Sequence, residues 1–100
     1  MDVELGPEAE SELAEATAWY GEHGWDLAER FVAEVRRVVA LLVERPSMRA
    51  EIEPGIRRVL LHGFPYSLIY CLEPDCIFIL AVTHHKRHPD SWRGRVRRVE

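Results

Sequence analysis

A dense group of basic and titratable side chains follows the last apolar run of the sequence: His84, His85, Lys86, Arg87 and His88. Imidazole titrates near neutral pH, and guanidinium stabilises negative charge that develops on a phosphate. The group predicts a site at which a histidine acts as general base on a phosphodiester and Arg87 stabilises the charge. If the chain cleaves a phosphodiester, the candidate catalytic residues are His84, His85, Lys86 and Arg87. The alternative is a set of solvated polar side chains at a strand end.

Two arginines and two tyrosines earlier in the chain are candidate binding residues. Arg57 and Arg58 are adjacent on a predicted strand and point to opposite faces, so only one of them can join such a site. Tyr66 and Tyr70 share a strand face and offer rings on which RNA bases can stack. Alternating aromatic residues on a strand beside helices are more often part of the core, and this alternative is favoured for the tyrosines.

Metal and redox chemistry are not favoured by the sequence. His84 and His88 have the spacing of ligands on a helix, but a strand precedes them and no Cys or carboxylate obviously completes a set of four. Cys71 and Cys76 flank a predicted turn and can lie opposite each other, although buried free thiols are the favoured interpretation. The sequence lacks a Gly-rich phosphate loop, GxSxG, HExxH and CxxC, so we expect no metal and no cofactor.

Two amphipathic helices are predicted in the first half of the chain. Pro7 suits a first helical position, and an apolar stripe follows at Ala9, Leu13, Ala16 and Tyr20. Residues 21–24 are expected to form a four-residue turn, and a second helix then runs to about Arg45 before Pro46. Its apolar face comprises Ala28, Phe31, Val32, Val35, Val38, Val39 and Leu42. The first helix also carries a second stripe, expected to be solvated or to face a basic partner: Glu8, Glu12, Glu15, Trp19 and Glu22.

The second half of the chain has the alternation typical of strands. Residues 56–62, 65–72 and 76–83 predict an antiparallel meander whose last strand is central and buried, because it is apolar on both faces. Residues 2–5 can add an edge strand, and a short helix is predicted from Pro89 or Asp90. The fold class is α+β, with a helical hairpin on one face of a curved antiparallel sheet of three to four strands.

Composition limits the class of protein. The chain has 100 residues, the size of one domain over residues 1–100. Two cysteines and an acidic N-terminal segment without an apolar stretch predict a cytoplasmic protein without a disulfide framework, and the longest apolar run, seven residues at 76–82, is too short for a bilayer. The net charge of −4 is asymmetric, since residues 1–50 carry −6 and residues 51–100 carry +2. Between Lys86 and Arg98 there are six basic residues and one acid, which either bind an anionic surface or balance the acidic half.

These features together resemble the RelE/ParE superfamily of toxins from bacterial type II toxin–antitoxin modules, over nearly the whole chain. The resemblance rests on the order and spacing of short segments. They are Ala18-Trp19-Tyr20, Ala28-Glu29-Arg30-Phe31 before Pro46, Ile56-Arg57-Arg58-Val59, Phe64 to Tyr70, Ile79 to Val82, His84 to Arg87, Pro89 and Trp92. The resemblance implies a toxin held inactive by an antitoxin whose C-terminal segment wraps it as a helix or an added strand.

The superfamily divides by target, and the sequence departs from its ribonucleases. RelE-like members cleave mRNA in the ribosome, whereas ParE-like members inhibit DNA gyrase and have no established hydrolytic site. Where the ribonucleases have an arginine the chain has Ser67, where they have a catalytic tyrosine it has Trp92, and its first meander strand is not lysine-rich. The net charge of −4 also disfavours a ribosomal target, because phosphate contacts dominate such affinity.

The resemblance therefore favours a ParE-like toxin that acts on DNA gyrase by protein contact, with no membrane partner. Its expected binding residues are Arg57, Arg58, Tyr66, Tyr70, Arg87 and Trp92. The first alternative is a ribosome-dependent mRNA endoribonuclease that uses His84 or His85 as base. The second is a non-toxic relic that only binds its antitoxin.

Overall fold

The predicted α+β class is confirmed by the computed structural model, which describes residues 1–95. The elements follow in the order β1 (Asp2–Leu5), α1 (Pro7–His23), α2 (Trp25–Glu44), β2 (Glu51–Glu53), β3 (Ile56–Leu60), β4 (Tyr66–Leu72), β5 (Cys76–His84) and α3 (Asp90–Arg93). The meander, the N-terminal strand and the short C-terminal helix are all present where the sequence predicts them. No helix within residues 1–95 is both long and apolar enough to cross a bilayer.

The sheet has five strands in the order β1-β5-β4-β3-β2, rather than three to four. It is mixed rather than antiparallel, because β1 pairs in parallel with β5, with Asp2 beside Cys76 and Leu5 beside Ile79. The sequence analysis missed β2, whose three residues are too few to show an alternation. The turn between β2 and β3 contains Pro54 and Gly55, and Gly55 has a φ of 78°, which favours glycine.

The two helices form an antiparallel hairpin with almost no loop. The predicted four-residue turn at residues 21–24 is wrong, since α1 continues to His23 and the chain reverses at Gly24, whose φ is 151°. Gly21 is helical instead, and a Cβ built there would lie 3.8 Å from the Cβ of Ala28. A methyl group would make an ordinary van der Waals contact there, so α1 and α2 lie side by side at this point near their connection.

Both faces of β5 are buried, as predicted for the last strand. Toward the helices, Ile77, Ile79 and Val82 pack with the apolar stripes of α1 and α2. On the opposite face, which we call the open face because neither long helix covers it, a second apolar cluster includes Phe78, Leu80, Ala81 and Trp92.

A bulge in β5 determines which side chains reach each face near its end. Ile69 lies opposite Ala81 and Tyr70 opposite Ile79, so Leu80 is an extra residue in β5. Leu80 and Ala81 consequently both contribute to the open-face cluster, and Val82 returns to the helix side.

Candidate functional site

The open face of the sheet carries a cleft where β5 ends. Its volume is about 270 Å³, and its lining includes Arg58, Ser67, Thr83, His85, Arg87 and Trp92. Ser67 lies on β4 opposite Thr83 and is only 2% exposed. Its Oγ is 3.0 Å from His85 Nε2, so the imidazole is held at the wall of the cleft by a hydrogen bond. We call this site the open-face cleft.

The two adjacent histidines both line the open-face cleft, but their side chains have different partners. The backbone N–H of His85 donates to the Pro65 carbonyl at 2.8 Å, which fixes the residue beside the start of β4. His84 lies edge-on to the ring of Tyr66, with 5.1 Å between the ring centroids, and its Nδ1 accepts the N–H of Lys86 at 3.1 Å. His85 is therefore the histidine that Ser67 holds in the open-face cleft, whereas the ring of His84 packs against Tyr66.

The two arginines of β3 lie on opposite faces, as predicted. Arg58 is exposed, lines the open-face cleft and forms no ion pair within residues 1–95. Arg57 donates a hydrogen bond to the Arg49 carbonyl and lies 3.9 Å from a carboxylate oxygen of Glu51. Arg58 is thus available to a ligand, whereas Arg57 ties β3 to the segment before it.

The two tyrosines of β4 face the helices, but their environments differ. Tyr70 is 0% exposed, and its hydroxyl donates to the Pro46 carbonyl at 3.2 Å. Burial raises its pKa. Tyr70 is accordingly a core residue that offers no ring to a ligand, which corrects its proposed role in binding. Tyr66 is half-buried at the edge of the helix layer and lines a groove beside α1.

Arg87 pairs with Glu12, an acidic residue whose role the sequence analysis missed. Arg87 Nη1 lies 3.2 Å from Glu12 Oε2, and Arg95 Nη1 lies 2.7 Å from Glu12 Oε1. Glu12 Oε1 also accepts the backbone N–H of Val82 at 3.2 Å. We call Glu12, Arg87 and Arg95 the Glu12 cluster. Glu12 was expected on a solvated stripe, yet its side chain is only 12% exposed. Lys86, by contrast, is exposed.

Trp92 closes one side of the open-face cleft. It is 4% exposed and packs on the open-face apolar cluster from α3. Arg93 ties α3 to β2 through an ion pair with Glu53 at 2.8 Å, and it also pairs with Asp90 within α3 at 2.6 Å. The predicted binding role of Trp92 is limited to lining the cleft. Of the predicted cationic tail, Arg97 and Arg98 lie outside the described residues.

One group of side chains has donors suited to a metal ion, away from the histidines. One ligand atom each from Glu4, Glu73 and Cys76 lies within 4.8 Å of the others. Cys76 Sγ donates to Glu73 Oε1 at 3.1 Å. The register places Cys71 opposite Phe78 rather than Cys76, so the expectation that the two cysteines lie opposite each other is wrong. Both are free thiols.

The structure therefore divides the predicted site residues into two groups. Arg58, His85 and Ser67 meet in the open-face cleft, where a cation and an imidazole can bind an anion or an acidic protein surface. Tyr66 lies on the helix side, His84 and Arg87 line cavities on both sides, and the guanidinium of Arg87 pairs with Glu12. One feature of the sequence indicates that Glu12 is partly buried: on α1 it lies four residues before the buried Ala16 and therefore on the same side of the helix.

The comparisons with known proteins agree with this architecture. Residues 3–89 match the family described as ParE toxin of type II toxin-antitoxin system, parDE. No curated protein sequence matches the chain. Among solved structures, one titled "Chromosomal ParDE TA system from P. aeruginosa" is similar, with a TM-score of 0.73 and 22% sequence identity. The match covers 84% of this chain and 95% of the other, and it establishes the shared fold. Since the family match spans most of the chain, this protein belongs to the ParE toxin family of type II toxin–antitoxin systems.

Proposed function

We propose that this ParE-type toxin arrests growth by binding DNA gyrase, and that a cognate antitoxin neutralises it by direct contact. The family match over residues 3–89 supports the toxin class. ParE-like members of the superfamily that the sequence resembles inhibit gyrase, which supports the target.

The observation that carries the choice of target is the environment of Trp92. This residue stands where the resembling ribonucleases have a catalytic tyrosine, and an indole offers no group that can act as a base at neutral pH. Trp92 is only 4% exposed, so it serves the open-face core rather than a reacting substrate. The arrangement favours a surface that binds a protein over one that cleaves RNA.

The open face has the composition of a protein-binding surface. Arg58 adds positive charge that no carboxylate within residues 1–95 pairs with. Leu60 is 54% exposed and Ile52 is 39% exposed on neighbouring strands. Apolar side chains beside a free cation suit an acidic protein surface, with charge steering the encounter and apolar area supplying affinity.

The alternative with a structural basis is an endoribonuclease that uses the open-face cleft. His85 is 3.0 Å from Ser67 Oγ and shares the cleft with Arg58, so a base and a phosphate-binding cation are near each other. In that case His85→Ala reduces mRNA cleavage by about a hundredfold or more, the usual contribution of general base catalysis. In the gyrase case the same variant changes toxicity by no more than about tenfold, as one contact among several.

The test expresses the chain alone in a bacterial host and assays the purified protein with DNA gyrase. We expect growth arrest with DNA damage and intact mRNA, reduced supercoiling in vitro, and restored growth when the adjacent antitoxin frame is co-expressed. Arg58→Glu should weaken gyrase inhibition by about tenfold or more, whereas Arg30→Glu, the same charge reversal on α2, stays within about twofold.

Three results would contradict the proposal. Rapid mRNA cleavage with unaffected supercoiling indicates the ribonuclease. Unimpaired growth with a stable antitoxin complex indicates a relic. Equal effects of Arg58→Glu and Arg30→Glu show that the open face does not contact gyrase.

A further inference from the structure

The outer side of α2 carries exposed apolar side chains, although the opposite side of this helix already packs into the core. Trp25 is 74% exposed, more than any other large apolar side chain within residues 1–95. Ala33 and Ala40 are exposed further along the helix, and Val32 is half-buried. A contiguous apolar patch left in water commonly marks an interaction surface. Six residues share this side of the helix by their spacing, and we call them the α2 face: Trp25, Glu29, Val32, Ala33, Arg36 and Ala40.

A groove of about 420 Å³ lies on the α2 face, at its boundary with α1. Trp25, Ala28 and Val32 give the groove an apolar lining. Thr17 lines it from α1, but the hydroxyl of Thr17 already donates to the Leu13 carbonyl at 2.7 Å. The groove therefore offers mainly apolar surface, and its specificity for a partner depends on its charged residues.

The two charged residues that line the groove have opposite signs. Glu29 and Arg36 are exposed and form no ion pair within residues 1–95. They are seven residues apart on one helix, which is about 10 Å along the axis, so they cannot pair with each other. A partner that covers the α2 face has to present a cation to Glu29 and an anion to Arg36, at the same separation.

A second copy of α2 presents both charges at that separation. When two copies of the helix lie antiparallel about a two-fold axis that passes between Val32 and Ala33, the order of the residues is reversed. Glu29 of each copy then faces Arg36 of the other copy, and the interface contains two such pairs. A surface that complements itself in this way is what an isologous dimer requires.

The same two-fold axis brings large side chains opposite small ones. Trp25 of each copy lies over Ala40 of the other copy, and Val32 lies over Ala33. Small side chains at the contact let two helices approach to about 8 Å, the short end of the usual range. The arrangement therefore covers the exposed indole while it pairs the charges.

We propose that the α2 face is a homodimer interface, and that its partner is the same face of a second copy of this chain. The inference goes beyond the proposed function, because it concerns the helix layer and leaves the open-face cleft of each copy uncovered. The helix has 20 residues and is about 30 Å long. Contact along one helix pair is small for a protein interface, so we expect a dissociation constant on the order of 10 μM.

The test measures the oligomeric state of the purified chain by sedimentation equilibrium over a range of concentrations. Arg36→Glu should weaken the dimer by about tenfold or more at low salt, because like charges then face each other twice. Trp25→Ala should weaken it by a similar factor. The control is Arg30→Glu, the same charge reversal at an exposed position of α2 outside the α2 face, which should change the dissociation constant by less than about twofold.

An exchange of charges tests the two-fold arrangement itself. Glu29→Arg alone should weaken the dimer about as much as Arg36→Glu. An equimolar mixture of these two variants should associate to within about threefold of the wild-type affinity, because two cations of one copy then face two carboxylates of the other. Both substituted side chains are exposed, so the circular dichroism spectra of the variants should match that of the wild type. A mixture that associates no better than each variant alone overturns the two-fold pairing.

The remaining outcomes decide whether a second copy covers the α2 face. A chain that stays monomeric up to about 1 mM contradicts the proposal. A dimer that none of these variants weakens is held together by another surface, and the proposal is then wrong. If the wild type is monomeric and Trp25→Ala instead weakens its binding to the antitoxin or to gyrase, that protein covers the α2 face and the homodimer is excluded.

Discussion

At the end of β5, the basic residues on the two sides of the sheet differ in whether a carboxylate pairs with them. On the helix side, Arg87 and Arg95 both bind the carboxylate of Glu12. On the open face, Arg58 has no carboxylate partner within residues 1–95. In the sequence all three arginines belong to the positive balance of residues 51–100. The comparison shows that a cation's partner, rather than its place in the sequence, decides between a structural role and availability to a ligand.

The partners also differ in what they contribute to stability. Glu12 is largely buried and receives hydrogen bonds from two guanidinium groups and a backbone amide, which makes its charge-assisted bonds strong. The pair of His88 and Asp90 is 74% and 68% exposed, and such pairs contribute little in water. The helix side is therefore held partly by a largely buried carboxylate, whereas the open face is held mainly by apolar burial around Trp92, beside the more exposed ion pair of Arg93 with Glu53.

The largest effect on stability should come from removing the apolar packing of Trp92 on the open face. Trp92→Ala should lower the free energy of unfolding by about 3–5 kcal/mol, because it deletes a buried indole and leaves a cavity on the open face. Urea unfolding followed by circular dichroism measures the change. The matched control is Ser91→Ala, at an exposed position on the same helix, which should shift stability by less than about 0.5 kcal/mol. A loss below about 1 kcal/mol for Trp92→Ala would show that α3 is not part of the core.

An intermediate effect on stability is expected from a substitution of Glu12 on the helix side. Glu12→Ala should cost about 2–3 kcal/mol, since it leaves the Val82 amide without its acceptor and two arginines without their carboxylate. Glu15→Ala, one turn along α1 and exposed, should cost less than about 0.5 kcal/mol. If the two variants are equally stable in urea, the Glu12 cluster does not hold α1 to β5 and the contrast between the two sides fails.

Much of the fold follows from local patterns. The apolar period of 3.6 in α1 and α2, and the two-sided apolar run of β5, identify elements whose burial the structure confirms. The parallel orientation of β1 is a non-local property, since its partner β5 lies more than 70 residues later. The short β2 has too few residues for a pattern, although Pro54 and Gly55 signal the turn that follows it.

The site was harder to predict because it depends on which face each side chain reaches. The extra residue at Leu80 in β5 changes the alternation just before the histidines, and no residue type announces that bulge. It sets His84 beside Tyr66 and leaves His85 beside Ser67. The position of Glu12, four residues before the buried Ala16, indicates partial burial, but only the packing of α1 against β5 shows that it meets two arginines.

Substitution of Glu34 should have the smallest effect on stability, and its pH dependence tests the contrast between the two sides of the sheet. This α2 residue is 11% exposed and accepts bonds from Arg37 Nε at 2.6 Å and from the His62 N–H at 2.6 Å. The hydrogen bond from Arg37 lowers the pKa of Glu34, the His62 amide lowers it further, and burial opposes both. A carboxyl with a lowered folded-state pKa stabilises the protein above its unfolded pKa of about 4.3, and this contribution is lost as the pH falls through the folded value.

Glu34→Gln should therefore cost about 1 kcal/mol near neutral pH, because the amide still accepts a bond but loses the charge that Arg37 requires. Urea unfolding at a series of pH values should show the difference from wild type shrinking as the pH falls below about 4.3. The cost of Trp92→Ala should stay constant over the same series, since an indole does not titrate there. A Glu34→Gln difference as large at about pH 3.5 as at pH 7 would mean that Glu34 stabilises the helix side by its shape and neutral hydrogen bonds, and that charge does not distinguish this side from the open face.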